Sequence, residues 1–518
     1  MTLELDLVAT LPVLAPLVAA VLVLLLDAAV PGRREPHLLV AGGGLLAGAL
    51  GTWPGLGLVA GDARTAFCLP SGECLYTADR LTSVLQLTAL LGALVVLVLA
   101  WDDWRQPSGV GRTPVVAALV LGATAGAAAV PAAGDLGTLL VALELATLPT
   151  VALVVLADPR WASGHRAGAV DGAVSLLTTS LVSFGLMALG AAFWVAATGT
   201  ALLAVPTTDD TGLLVVAAVL LLAGLAFKVS AVPFHAWTPV TYTRAPLPVT
   251  AYLATVSKVA ALGGLVVLVR ALGTVDGTTL LAVALLAALS MTVGNLVALG
   301  QVDTVRLLAW STVAQAGWVL LPLAALSSRA VHAAGSYLVV YVVGTLLALV
   351  VVVAVARSQG GGPVRTGPGT ALAAHRGLVR TRPLLGLPLA LALLTLAGLP
   401  PAVLGLVAKI VALRPVAADG TWWLAVVAAL NVALGIAVYV RWVAVLLQTP
   451  HPAPVGVAAG STGDGGDGDG DADERADREG DDAQEGAARP RVPVREVVLV
   501  AALTAVVVVG SITPFGVL

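Results

Sequence analysis

The sequence predicts an all-α polytopic membrane protein, and three observations carry that expectation. Of its 518 residues, 58% are hydrophobic and 11% are charged, with a mean hydropathy of +0.98. A soluble domain carries about 25% charged residues, so water could not cover this much apolar surface, and such a chain is the opposite of a disordered one. The apolar residues fall in long unbroken runs rather than in the alternation of a transmembrane β-barrel. Helices, which satisfy their own backbone in lipid, are the remaining solution.

A crossing needs about 20 apolar residues. About fourteen stretches reach that length: residues 7–30, 38–60, 81–100, 114–132, 136–157, 168–197, 212–239, 247–269, 278–299, 304–326, 330–356, 383–411, 421–447 and 496–515. No basic residue precedes Arg33, so the first stretch reads as a retained span rather than a cleaved signal. Spans seven and twelve contain helix breakers, Pro233 and Pro239 in one and Gly398-Leu399-Pro400-Pro401 in the other. Spans 4–8 and 9–13 make two five-helix units. An odd number of crossings per unit sets the two in opposite orientations, as inverted repeats with broken helices 7 and 12 in corresponding places. The chain then divides into N-terminal helices (1–113), a first half (114–270), a second half (271–447), a linker (448–494) and a last helix (495–518).

Arginine sets the sidedness. With the N-terminus outside, the inner loops hold 18 Arg and the outer loops 5, and both termini lie outside. The outer loop 61–80 holds the only two cysteines, Cys68 and Cys74; there both a bridge and two free thiols are open. Two cysteines make neither a metal cluster nor an iron–sulfur or haem motif, so the chain is expected to carry no redox centre. The net charge of -3 gives no basic surface for nucleic acid. Residues 458–494, with the run GDGGDGDGDADERADREGDD, read as a self-repelling, disordered linker on the inner side. Helices at calcium-loop spacing do not flank it.

The chemistry lies in the charges placed among apolar residues. The chain has three lysines, Lys228, Lys258 and Lys409, each inside an apolar run, and of eight Glu only Glu144 lies deep in one. Each costs about 2.5–3.5 kcal/mol at the bilayer centre. Unpaired, four of them would cost roughly 10–14 kcal/mol on the same scale, comparable to the stability of a domain. They are therefore expected to face a polar interior and to partner one another or water. Hydrocarbon disfavours the charged form of each group and a neighbouring opposite charge favours it. A pair such as Glu144 with Lys228 can thus exchange a proton as it opens or closes. A static ion pair is the plain alternative. His235, just after Pro233, is either a packing and capping residue or a proton shuttle. Asp171 is expected to pair with Arg166, and Arg441 either pairs in the interior or snorkels.

Four stretches carry a resemblance: FKVSAVPFHAWTPVTYTRAPLPVTAYLATVSKVAALGGL (227–265), GNLVALGQVDTVRLLAWSTVAQAGW (294–318), HRGLVRTRPLLGLPLALALLTLAGLPPAVLGLVAKIVAL (375–413) and ALNVALGIAVYVRWV (429–443). In that order they resemble the antiporter-like, proton-translocating membrane subunits of NADH-quinone oxidoreductase (respiratory complex I). Spans one to three and the linker match only in hydropathy. Lys409 on span twelve, the Trp422-Trp423, Asn431 and Tyr439 run, and fourteen spans without a further lateral helix look like the subunit N branch. The antiporter-like subunits of multisubunit (Mrp-type) sodium/proton antiporters share much of the pattern.

The resemblance implies roles. Glu144 would pair with Lys228, Lys258 would be the central relay, Lys409 the terminal proton site, and His235 the histidine of the broken span. It implies that NADH, FMN, iron–sulfur clusters and quinone are bound by partner subunits and no cofactor by this chain. The neighbours would include antiporter-like subunit M and small membrane subunits, in a bacterial plasma membrane, with the acidic linker in the cytoplasm. Two positions depart from the family: span six reads VDGAVSLL without the frequent Lys, and Gln315 stands where a His is frequent on span ten. A gradient-driven cation/proton antiporter and an inert scaffold are the rival functions.

Overall fold

The computed structural model describes residues 6–70, 72–105, 112–156, 163–203, 208, 210–272, 277–325, 328–359, 365–449 and 492–513. The acidic run and most of the linker expected at 448–494 lie outside them. The helices of eight or more residues, in chain order, are α1 (Leu7–Ala29), α2 (Glu35–Gly51), α3 (Arg80–Leu99), α4 (Arg112–Ala129), α5 (Leu136–Val155), α6 (Ser163–Thr198), α7 (Thr211–Val229), α8 (Trp237–Arg244), α9 (Leu247–Ala254), α10 (Val256–Ala271), α11 (Gly277–Leu299), α12 (Thr304–Leu323), α13 (Ser328–Gln359), α14 (Pro383–Ala397), α15 (Val403–Ala418), α16 (Trp422–Leu447) and α17 (Val494–Ile512). Each of the fourteen expected stretches holds one of these helices or a pair of them. By length and composition alone, 12 helices among the described residues can cross a membrane, or 13 if a pair bent by 118° at Arg382 is one span. The shortfall from fourteen has local causes. α12 carries Arg306, Ser311, Thr312 and Gln315 in its apolar run, and α15 has only 16 residues after the break before it.

Apolar side chains point both outward and inward, as lipid and core both require. Leu22, Val141, Leu296 and Leu430 are exposed on the outer faces, whereas α9, α10, α12 and α13 are buried nearly throughout. Spans seven and twelve break as expected. Span eight also breaks, which the sequence did not announce: Thr255 leaves helical geometry (φ -129°, ψ -76°) between α9 and α10. Its hydroxyl bonds back to Ala251 O at 2.5 Å, a local bond that competes with the helix ladder.

Among the described residues one two-stranded sheet stands outside the helices. Residues Ala63–Cys68 (β1) and Cys74–Asp79 (β2) pair as an antiparallel hairpin, with Cys68 opposite Cys74 and the two joined by a disulfide. The hairpin is fastened on three sides. Arg64 pairs with Asp6 at 2.6 Å, Tyr76 OH donates to Ala9 O at 2.8 Å, and Asp79 both caps α3 and pairs with Arg270 at the end of α10 at 3.0 Å. At the opposite ends of the helices, Arg357 of α13 holds Asp103 at 2.5 Å and also Glu496 of α17, while Arg495 holds Asp102. These pairs tie the last helix to the end of α3.

Two expectations need correction or completion. Asp171 pairs with Arg244 of α8 at 3.1 Å, not with Arg166; α8 packs along α6 and carries its guanidinium to that face. Arg441 donates to Gln301 O, past the end of α11.

The same local device starts α5 and α12. Asp135 caps α5 and Asp303 caps α12, each accepting from the backbone three residues on. Each also accepts a threonine hydroxyl (Thr138, Thr370) and forms an antiparallel bridge to the segment after the next helix, Asp135 to Leu202 beyond α6 and Asp303 to Ala371 beyond α13.

A candidate proton line through the broken helices

Chain breaks create the site. After Val229 the backbone turns left-handed at Ser230 and Pro233 cannot resume the ladder, so the last carbonyls of α7 are left without helical partners. The C-terminal end of a helix carries partial negative charge, and that is where the lysines lie. Lys228 is in the last turn of α7. Lys258, in the first turn of α10, donates to Lys228 O (3.1 Å), Val229 O (3.3 Å) and Ser230 Oγ (2.6 Å). Lys409 of α15 donates to Ala397 O, the last residue of α14, at 2.6 Å. Two of the amines also have an aromatic face beside them: Lys258 lies 4.8 Å from the Trp237 ring centre and Lys409 5.1 Å from that of Trp318. Broken half-helices supply the negative ends that make buried ammonium groups tolerable.

Glu144 and Lys228 meet. Lys228 Nζ lies 2.8 Å from Glu144 Oε1, 3.2 Å from Thr147 Oγ1 and 3.0 Å from Ser180 Oγ. Ser180 in turn donates to Glu144 Oε2 at 3.3 Å. Thr147 is one turn beyond Glu144 on α5 and so shares its face. A cavity of about 20 Å³ adjoins the pair, lined by Thr147, Ser180, Lys228, Trp237 and Ser257 among others. One water needs roughly 10–15 Å³ and two or more polar partners, and this cavity offers both beside the turn that carries Lys258.

From α10 toward Lys409 the polar groups are uncharged. The break at Thr255 frees Ala254 O, which accepts from Tyr341 OH at 2.6 Å; Tyr341 OH also lies 3.1 Å from Thr312 Oγ1. The neighbouring Ser311 Oγ is 2.7 Å from Tyr439 OH, which accepts from Gln315 Nε2 at 2.8 Å. Gln315 Oε1 accepts from Tyr337 OH, and the Tyr337 ring stacks on Trp318 below Lys409. Gln315, where the family often has His, is therefore the hub of a hydrogen-bonded cluster. Among the described residues His235 makes no hydrogen bond to the amines: its ring lies 5.1 Å from the Trp310 ring, and its buried Nδ1 has no hydrogen-bond partner there.

Of the five expected residues, then, Glu144, Lys228 and Lys258 gather at one break, Lys409 occupies the other, and His235 lies at the side of the first. Thr147, Ser180, Ser230, Trp237, Tyr337 and Tyr341 were not singled out from sequence. Only Thr147 left a signal there, its spacing from Glu144.

Comparison with known proteins decides the family. Residues 133–435 match the family model described as NADH:quinone oxidoreductase/Mrp antiporter, TM. The chain is similar to NADH-quinone oxidoreductase subunit N 2 of Streptomyces griseus subsp. griseus, at 41% identity over 470 residues, 87% of this chain and 84% of that one. The chain belongs to the subunit N family of NADH-quinone oxidoreductase. Its fold is similar to a chain in the structure titled respiratory complex I from Thermus thermophilus with bound aureothin. That likeness has a TM-score of 0.74 and 28% identity, and covers 97% of each chain. A chain of the Mrp complex from a Dietzia species shares the fold (TM-score 0.78, 22% identity, covering 98% of this chain and 95% of that one). At that identity the likeness speaks for fold alone. In this subunit N family member, the matched region holds Glu144, Lys228, Lys258, Lys409 and both breaks.

Proposed function

We propose that the chain is a proton-translocating membrane subunit of NADH:quinone oxidoreductase, in which Glu144, Lys228, Lys258 and Lys409 relay protons. The observation that carries this is the placement of three amines at the open ends of broken helices, one of them in contact with the chain's deep carboxylate. Quinone reduction elsewhere in the complex would disturb the Glu144–Lys228 pair. Lys228 would then release its proton across the adjoining cavity to Lys258, and the tyrosine–glutamine cluster would connect Lys258 with Lys409. His235 would serve as a side shuttle. NADH, FMN, iron–sulfur clusters and quinone would be held by other chains, which makes this subunit a translocase component without its own redox centre. Subunit M and the small membrane subunits are the neighbours we assign.

Fourteen crossings in two inverted units, with both termini outside and the linker in the cytoplasm, complete the proposal. The ion pairs support it. Asp6–Arg64 and Asp79–Arg270 join ends assigned to the outside; Glu35–Arg105, Asp171–Arg244, Asp103–Arg357 and Asp102–Arg495 join ends assigned to the inside. No pair in this set crosses sides. The aspartate-capped bridges support the inversion, because Asp135 falls on the outer side and Asp303 on the inner side of that topology.

The test uses the assembled complex in sealed vesicles, with proton uptake read against NADH oxidation. Removing one member of a buried pair strands a charge at a cost of about 3–5 kcal/mol, so the double variant Glu144→Gln/Lys228→Met accompanies the singles. All three are expected to translocate fewer protons per electron, the double variant assembling best. Wild-type stoichiometry in assembled variants would overturn the proposal. An Mrp-type antiporter is the second reading, on the shared fold. The complex purified in mild detergent separates the two, since a respiratory enzyme carries flavin and iron–sulfur absorbance with it.

A further inference from the structure

The two broken helices α7 and α14 end in the same backbone motif with different residues at its corner. In each, the amide two residues past the helix bonds back five residues, Ala231 N to Ala226 O at 2.9 Å and Leu399 N to Leu394 O at 3.0 Å. The residue between is left-handed: Gly398 with φ 76°, and Ser230 with φ 71°. This capping motif favours glycine, which alone adopts that backbone without steric cost. Among the described residues only Phe67 and Ser230 hold positive φ with a side chain. Serine is thus the poorer residue for the turn itself, and its hydroxyl has another use. Ser230 Oγ lies 2.6 Å from Lys258 Nζ, the shortest of that amine's three hydrogen bonds, and 2.5 Å from Thr238 Oγ1. Ser230 and Thr238 are fully buried and Lys258 is 1% exposed. At the other corner a Cβ on Gly398 would stand 2.9 Å from Lys409 Cδ and would force that side chain to shift.

We infer that Ser230 is a positioning residue for proton transfer: its hydroxyl, fixed by Thr238, holds the Lys258 amine against the carbonyl of Lys228 at the end of α7. This rests on the proton-relay reading of the same site. Without the hydroxyl, the amine keeps two longer bonds, at 3.1 and 3.3 Å, and the Trp237 ring, and its place at the break is no longer fixed.

Ser230→Gly tests this, because it relaxes the backbone and removes only the hydroxymethyl group. Ser230→Ala removes the hydroxyl and keeps the unfavourable turn. Proton uptake per electron is measured in vesicles holding the whole complex, alongside thermal retention of this chain in the solubilised complex. We expect proton transfer through the chain to slow about tenfold or more in both variants, as loss of a hydrogen bond to a charged group implies. Thermal retention should be equal or higher in Ser230→Gly. Wild-type uptake in Ser230→Gly, with Glu144→Gln and Lys228→Met impaired in the same assay, overturns the role of Ser230 alone. Wild-type uptake in all of them overturns the relay as well. A loss of uptake in Ser230→Gly that tracks lower thermal retention makes Ser230 a structural cap and also overturns the inference.

Discussion

Lys258→Met is expected to slow proton passage through this chain roughly a hundredfold while the complex stays assembled. Met matches the length of the lysine stem, so packing is largely kept. Two energy terms oppose one another. Deleting a buried ammonium relieves about 2.5–3.5 kcal/mol on insertion scales. Leaving Lys228 O and Val229 O without that donor costs about 1–3 kcal/mol for each, while Ser230 Oγ keeps its bond from Thr238. The balance lies within a few kcal/mol, which a large buried interface tolerates. Transport has no such compensation. Between the Glu144–Lys228 pair and Lys409 the remaining bridging groups among the described residues are hydroxyls and an amide, none of which takes up or gives up a proton at neutral pH. A proton crossing that gap must enter low-dielectric surroundings as a hydrated charge, at about 3 kcal/mol, or roughly a hundredfold in rate. Proton uptake per electron in vesicles checks this; an assembled Lys258→Met complex with wild-type uptake would show that the amine is a bystander.

The second large effect is structural. Gly405→Val is expected to remove the chain from the complex. A Cβ on Gly405 would lie 1.9 Å from Thr395 O and 2.7 Å from Thr395 C, so α14 and α15 meet backbone to backbone. Small residues permit such approaches in membranes, and no rotamer change relieves a clash with a carbonyl. Lys409 is one turn beyond Gly405, and its acceptor Ala397 O is two residues beyond Thr395. Prying the two segments apart therefore also pulls the amine from its place. A loss of more than about 4 kcal/mol is expected, the range that marks overpacked cores. Gly122→Ala is the control. Among the described residues, nothing beyond its own helix turn lies within 4 Å of a Cβ there, and helix propensity favours alanine by about 1 kcal/mol. Chain content of the purified complex, read by mass spectrometry, distinguishes the two.

Much of this was legible in the sequence for one reason: charge is rare in it. With three lysines and a single deep glutamate, every ionisable group inside a span stood out, and proline and glycine marked the breaks at spans seven and twelve. Uncharged polar residues did not stand out, because Ser and Thr recur throughout the apolar runs and the partners that give the tyrosines and Gln315 their roles are far along the chain. Tyr341 bonds to a carbonyl 87 residues away and Gln315 to a hydroxyl 124 residues away. The break at Thr255 has neither glycine nor proline at its corner, and a freed carbonyl capped by a distant tyrosine leaves no local mark. The hairpin was missed because two six-residue strands in a short loop lack periodicity. Asp171 illustrates the same limit: the nearer arginine in sequence was Arg166, but helix packing brought Arg244 to it.

The central claim is that water and hydroxyls join the buried charges into one line. It is tested most directly by a density map of the assembled complex in lipid, at a resolution that shows ordered water. The account requires water in the cavity bounded by Thr147, Ser180, Lys228, Trp237 and Ser257, and beside Lys409, where one carbonyl and an indole face surround an amine with three donors. Dry apolar packing between Lys228 and Lys258, with the amine of Lys409 sealed from water, would contradict it.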